Sequence, residues 1–215
     1  MSKKTKISKE DILLVAIDEF AKSGYALTTT DTIVKAAGIS VGSLYNHFKN
    51  KQILFEEAII YSYELANKIK IEVMEEEYDS EFDRTKDFMK KFFTFFSENK
   101  SIAKLFYIEF ENFVMIYPKT RIKGIKKENE NIFLEELAIS LGKRNKKIDS
   151  QLYAYMIVGG FEHIVKDWLF HPEYLDNTDV DQITEKITQI IMLFIDSDMM
   201  KSIREKIIKR KEKKI

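Results

Sequence analysis

Three histidines, His47, His163 and His171, together with 35 acidic and 35 basic side chains, are what a reaction could draw on, because the 215 residues include no cysteine. That absence removes disulfides, thiolate zinc sites, iron–sulfur clusters and a cysteine nucleophile. No Glu-x-x-His, His-Glu-x-x-His or Gly-Lys-Ser/Thr pattern occurs, so carboxylate-bridged metals, zinc hydrolysis and phosphate loops lack their residues; Gly38-Ile39-Ser40-Val41-Gly42 has the Gly-x-Ser-x-Gly spacing but is already explained by a turn between two helices. The expectation is no catalytic residue, no metal and no cofactor. A different chemistry is written between Ser40 and Phe48. On a helix, Val41, Leu44 and Phe48 form an apolar stripe, and Gly42, Ser43, Asn46 and His47 form a small, polar, uncharged face opposite it. Such a face can enter a major groove and bring hydroxyl, amide and imidazole groups to base edges. Short helices around a glycine turn also occur in bundles that bind no DNA, so spacing alone leaves both readings open.

The elements that would hold this face are helical. Gly is 7 and Pro is 2 in the whole chain, too few for the tight turns of a β-sandwich or barrel, and apolar residues recur at helical spacing. Ser8-Lys9-Glu10-Asp11 is a capping-box start for a first helix bearing Ile12, Ala16 and Phe20, with Gly24 as its αL end. A short helix follows over about 30–37. Gly38 turns the chain, Ile39 pins the turn, and Ser40 caps the next helix. Asn50 caps a long helix from Lys51 to about Glu77. Further helices extend to the C-terminus, about nine or ten in all.

The stretch Ile33-Val34-Lys35-Ala36-Ala37-Gly38-Ile39-Ser40-Val41-Gly42-Ser43-Leu44-Tyr45-Asn46-His47-Phe48-Lys49-Asn50-Lys51 closely resembles the head of the tetracycline-repressor (TetR-like) family of transcriptional regulators. The Ala-Gly pair, the Ser, the Gly two further on, Leu-Tyr-x-His-Phe and the Lys three after the Phe stand at matching spacing. The resemblance covers about residues 8–55. Val34 departs from the family's alanine, which implies overpacking worth about 1–3 kcal/mol or a wider helix pair, and Thr30 departs from an apolar position. The resemblance implies an all-α fold: an N-terminal three-helix helix-turn-helix head over 1–52, joined by a long helix to a ligand-sensing and dimerisation body over 53–198, with a basic tail at 199–215. It implies that Thr28 and Thr29 offer hydroxyls and N–H groups to a phosphate, that Tyr45 and Lys51 meet phosphates, that His47 contacts the backbone or a base nearby, and that Ser40, Val41, Gly42, Ser43 and Asn46 read bases. The Lys3–Lys6 arm either follows a groove or is disordered without DNA.

The family dimerises through its last two long helices, here about 151–170 and 181–196. Tyr153, Ile157, Gly160, Ile164, Ile187, Ile191 and Phe194 are the expected interface. Gly159-Gly160 weakens a helix by about 1 kcal/mol per glycine, a cost that makes sense where a helix or ligand comes close. Between the middle helices the family holds a ligand cavity, for which Asn67, Phe92, Phe96, Phe106, Glu109, Phe110, Phe113, Tyr117, Tyr155, Glu162 and His163 are the candidates. Most of these aromatics read equally as core. An unpaired inward Glu109 or Glu162 would call for a cationic apolar ligand; otherwise the effector is neutral.

The net charge of zero conceals a head at +3 over 1–51, a body at −9 over 52–198 and a tail at +6 over 199–215. No run of about 20 apolar residues and no apolar segment after the N-terminal lysines occurs, so the expectation is a cytoplasmic protein. The partners implied are an inverted-repeat DNA operator, a small apolar effector and a second copy of the chain, with no membrane. The competing reading is a helical protein-interaction or membrane-surface module, carried by Ile203, Ile207 and Ile208 among basic residues. The bland reading of that tail is a solvated helix end, its cations favoured near a C-terminus.

Overall fold

The computed structural model describes residues 7–144 and 149–212, and no strand occurs among them. The Lys3–Lys6 arm lies outside the described residues. Contacts divide the chain into two compact units, 1–65 with 99–125 and 66–98 with 126–215. These differ from a division at residues 52 and 198. Phe55, Ala58 and Ile59 of the fourth helix are buried, as are Phe110 and Phe113, and all of them belong to the unit that holds the head.

In the first unit, α1 (Lys9–Leu27) starts at Ser8, whose hydroxyl accepts the Asp11 N–H while the Asp11 carboxylate accepts the Ser8 N–H. Gly24 does not end α1 as an αL cap. Its φ of +74° with ψ of 163° makes a kink, and one more turn follows, closed by Thr28 N–H on Gly24 O at 3.2 Å. α2 (Thr30–Ala37) is capped by Thr29 and stopped by Gly38 in the left-handed region, φ +65° and ψ 29°. The Ile39 N–H then reaches back to Val34 O at 3.1 Å, the double closure by which a glycine satisfies the last carbonyls of a helix. α3 (Val41–His47) is capped by Ser40. α4 (Lys51–Glu75) begins with Asn50 Oδ1 accepting the Ile53 N–H at 2.9 Å. Phe20, Phe48 and Phe55 fill the centre with Ile12, Ile17, Ile33, Leu44 and Leu54. Val34 is buried among them. α6 (Lys100–Lys104) runs through a π turn (Leu105–Glu109) into α7 (Phe110–Ile116).

In the second unit, α5 (Glu81–Glu98) packs on α10 (Val180–Ile191). Ile183, Thr184, Ile187 and Thr188 are buried on the inner side of α10, and ion pairs Lys86–Glu185 (2.6 Å) and Lys90–Asp181 (3.0 Å) flank it. α8 (Ile122–Arg144) and α9 (Ser150–Phe170) complete this unit with α11 (Ser197–Glu212). The existence of α11 corrects the expected tail. Its Met199, Met200, Ile203 and Ile207 are buried with Met74, Ile132, Leu137 and Leu141. Arg204 Nε donates to Met74 O at 2.7 Å, and Lys206 pairs with Glu136 and Lys211 with Glu75. The apolar side needed by a membrane-surface segment is therefore already covered. Ile203→Ala should lower unfolding free energy by about 2–4 kcal/mol while Lys209→Ala changes it by less than about 0.5 kcal/mol. Urea unfolding decides, since a dangling tail would leave both variants at the wild-type midpoint.

Candidate nucleic-acid interface

The helix-turn-helix presents a face of the expected chemistry. On α3, Leu44 and Phe48 are 1% and 2% exposed and anchor the helix. Gly42, Asn46 and His47 are exposed, and Ser43 is half-buried. Tyr45 and Val41 stand 48% and 44% exposed. Val41 thus lies outside the buried stripe and is free for an apolar contact such as a thymine methyl. Ser40 Oγ caps the Ser43 N–H at 3.1 Å and lies 3.0 Å from Ser43 Oγ, so these two hydroxyls are partly spent on the helix start. Lys35 and Lys49 are exposed beside this face in sequence. Neither was singled out from the sequence, because exposure of a lysine has no local signature.

Two of the expected phosphate contacts are committed elsewhere. Thr28 is 2% exposed, and its hydroxyl donates to Gly24 O (2.8 Å) and Glu19 O (3.1 Å) while its N–H closes the last turn of α1. Nothing on it is left for a phosphate. Lys51 Nζ donates to Tyr25 O and Thr28 O, each at 2.9 Å, with Ala26 O at 3.5 Å, and sits 4.4 Å over the Tyr25 ring. It is the C-terminal cap of α1 and not a bare cation. Thr29 is exposed, but it exchanges bonds with Thr32 in a capping box.

The expected ligand-cavity residues are divided between the two units. In the first unit, Tyr25 packs edge-on against Phe113 (4.8 Å) and Phe55 (4.9 Å) and beside Tyr117 (5.6 Å). Phe110 lies 6.1 Å from Tyr63, and Phe106 lies 4.1 Å from it. Burial, then the neighbouring Tyr117 hydroxyl, pushes the Tyr25 phenol up to about 12. Glu109 is buried but not unpaired, since its Oε2 accepts the Tyr25 N–H at 3.3 Å. The reason for expecting a cationic effector there is gone. Thr120 and Arg121 bind Glu56 at 2.7 and 2.8 Å, and Arg121 also bridges to Glu57. Burial opposes ionisation of Glu56, yet these bonds and that from Gln52 outweigh it and hold its carboxyl below the usual range. Glu109, Phe113 and Tyr117 thus fasten the kinked end of α1, while Phe106 and Phe110 pack on Tyr63 of α4.

In the second unit, Phe92 stacks edge-on against Phe96 (4.8 Å), and Phe93 against Trp168 (5.0 Å). Asn67 and Glu162 are half-buried. His163 faces solvent and pairs with Asp167 at 3.4 Å, so it walls no interior cavity. Tyr155 is 57% exposed and lines an open groove of about 750 Å³ with Leu134, Ala138, Ile139, Gly142 and Ser150. The residues expected at a dimer interface differ in exposure within the protomer. Ile187 is buried within the protomer against α5, whereas Ile157, Ile191 and Phe194 pack partly against the core. Tyr153 and Gly160 are exposed and Ile164 is half-buried. Leu152 and Met156, which were not expected, are exposed on the same helix, as are Ile190 and Leu193 after it. The i, i+4 repeat of Leu152 and Met156 was the available signal.

Among the described residues no three His, Asp or Glu side chains gather as a metal site, and no helix is long and apolar enough to cross a membrane. Residues 12–58 match the family described as bacterial regulatory proteins, tetR family. The chain is 34% identical over 116 residues to the uncharacterised HTH-type transcriptional regulator YerO of Bacillus subtilis (strain 168), covering 46% of this chain and 40% of that protein. It is 51% identical over 51 residues to the HTH-type transcriptional regulator QacR of Staphylococcus aureus (strain Mu50), covering 24% of this chain and 27% of that one. The matches therefore span less than half of these relatives' own lengths. The crystal structure of the transcriptional regulator FadR from Bacillus subtilis in complex with stearoyl-CoA superposes with a TM-score of 0.65 over 88% of this chain and 100% of that one, at 18% identity, a likeness of fold.

Proposed function

We propose that the chain, whose residues 12–58 match the tetR family of bacterial regulatory proteins, is a TetR-like regulator that represses transcription by binding an inverted-repeat operator as a homodimer and is released by a small apolar effector. The observation that carries this reading is α3: Leu44 and Phe48 are buried while Val41, Gly42, Tyr45, Asn46 and His47 are exposed together. A single helix-turn-helix offers a small interface, and a two-fold pair doubles it and fixes half-site spacing. The exposed apolar side of α9 supports such a pair. Acyl-CoA thioesters are the first effectors to try, because the superposed FadR binds one. The protein is a binder and not an enzyme.

Selection from a random double-stranded DNA pool tests the reading, with enriched inverted repeats as the expected result. A chain that enriches nothing at low salt sinks it. On the selected site, Asn46→Ala should cost about 1–3 kcal/mol at one base position and relax preference there. Lys49→Ala should weaken binding on every sequence alike and reduce the salt slope by about 1. Titration of binding against salt separates the two, and identical uniform losses would dismiss Asn46 as a base reader.

A further inference from the structure

We propose that Glu109 is a positioning residue for DNA binding: its carboxylate, holding the Tyr25 N–H, fixes the kink at Gly24 from which α2 and the DNA-facing helices start. The proposal rests on the regulator reading and adds a residue 84 positions from its partner. Three observations converge on the turn from Gly24 to Thr28. Gly24 adopts φ +74°, which disfavours any side chain there, and a Cβ would in addition crowd Glu109 Oε2 at 3.3 Å. Glu109 Oε2 takes the N–H of the next residue at 3.3 Å. From the other side Lys51 gathers the carbonyls of Tyr25, Ala26 and Thr28. The turn is thus gripped at its N–H by an anion and at its carbonyls by a cation. Its end, Thr28, leads directly into Thr29, the cap of α2.

Stability does not explain an acid at this position. Glu109 is 9% exposed, and one 3.3 Å hydrogen bond is what it makes among the described residues. A buried carboxylate with one long bond costs more than it returns, whereas an apolar side chain of similar length would pack without that penalty. The Tyr25–Phe113–Phe55 cluster already fastens α1 to α7. What the carboxylate adds is direction: it aims one backbone N–H and so sets the kink. It also ends the π turn Leu105–Glu109, a geometry that occurs mostly as single turns inside helices and is frequent at functional sites.

The test compares Glu109→Met, which removes the acceptor at similar length, with Glu109→Gln, which keeps a carbonyl oxygen. Three readouts are the midpoint of thermal unfolding, the affinity for an operator selected with the wild-type chain, and amide exchange at Tyr25. The expected result is an unchanged or higher midpoint for Glu109→Met, binding weaker by about tenfold or more, and faster exchange at Tyr25, with Glu109→Gln near wild type in all three. Wild-type affinity in Glu109→Met overturns the proposal. So does a loss of affinity that tracks an equal loss of thermal stability, which would mark Glu109 as ordinary core. A wild-type chain that selects no DNA overturns the regulator reading, and the proposal with it.

Discussion

Lys51→Met lowers the midpoint of thermal unfolding by roughly 5–10 °C and leaves the salt slope of DNA binding where it was. Methionine keeps the stem against the Tyr25 ring but cannot donate. The turn loses the Nζ bonds to Tyr25 O, Ala26 O and Thr28 O and the cation over the ring at 4.4 Å. Hydrogen bonds from a charged donor are worth about 1.5–3 kcal/mol each, less when they share one ammonium, so a total of about 2–4 kcal/mol is at stake. In a chain of this size each kcal/mol moves the midpoint by about 2–4 °C. DNA affinity falls too, since the start of α2 loosens, but it falls without shedding a phosphate contact. The contrast with Lys49→Ala is the control: no change of midpoint and a slope lower by about 1. Should Lys51→Met instead keep its midpoint and shed one unit of slope, Lys51 is a phosphate contact after all, and the α1 cap is incidental.

What could be read from the sequence alone was local. The caps Ser8, Ser40 and Asn50 act within three or four residues, and all three bond as their types and spacing require; the cap at Thr29 is equally local but was not read. The stripe of Leu44 and Phe48 is likewise a matter of helical period. The errors sit where a residue is claimed by something distant. Lys51 looked like a helix-start cation because the carbonyls that take it lie 23–26 positions earlier. Glu109 looked unpaired because its partner is on α1. Thr28 looked available because nothing in its neighbours tells that its hydroxyl folds back onto Gly24 and Glu19. α11 was hidden by its charge: eight Lys and Arg in 199–215 outweigh the Met199, Met200, Ile203, Ile207 stripe, although that stripe has the spacing of a buried helix face. Ile187 shows the converse. Its stripe on α10 was legible, but period says only that a face is covered and not whether α5 or a second protomer covers it.

On the proposed pairing through α9, Gly160→Leu should turn the dimer into a monomer of 25.4 kDa and cut affinity for a two-half-site operator by about 10²–10⁴, the gain that linking two sites provides. Within one protomer Gly160 is exposed and a Cβ at Gly159 or Gly160 meets nothing within 4 Å. Helix propensity then predicts that the isolated protomer gains up to about 1 kcal/mol from losing the glycine. The two glycines sit beside Met156 and Leu152, which expose apolar surface on the same helix. Bare glycine backbone flanked by exposed apolar side chains is what a second α9 needs for close approach, and there the added side chain has no room. The two effects therefore have opposite signs, and that is the strength of the test. Light scattering of the purified variant should report half the wild-type mass, urea unfolding at low concentration should report a protomer no weaker than before, and each half-site alone should still be bound with its own weak affinity. A variant that stays dimeric and gains stability places the contact elsewhere, with Ile190 and Leu193 after α10 as the next face to substitute.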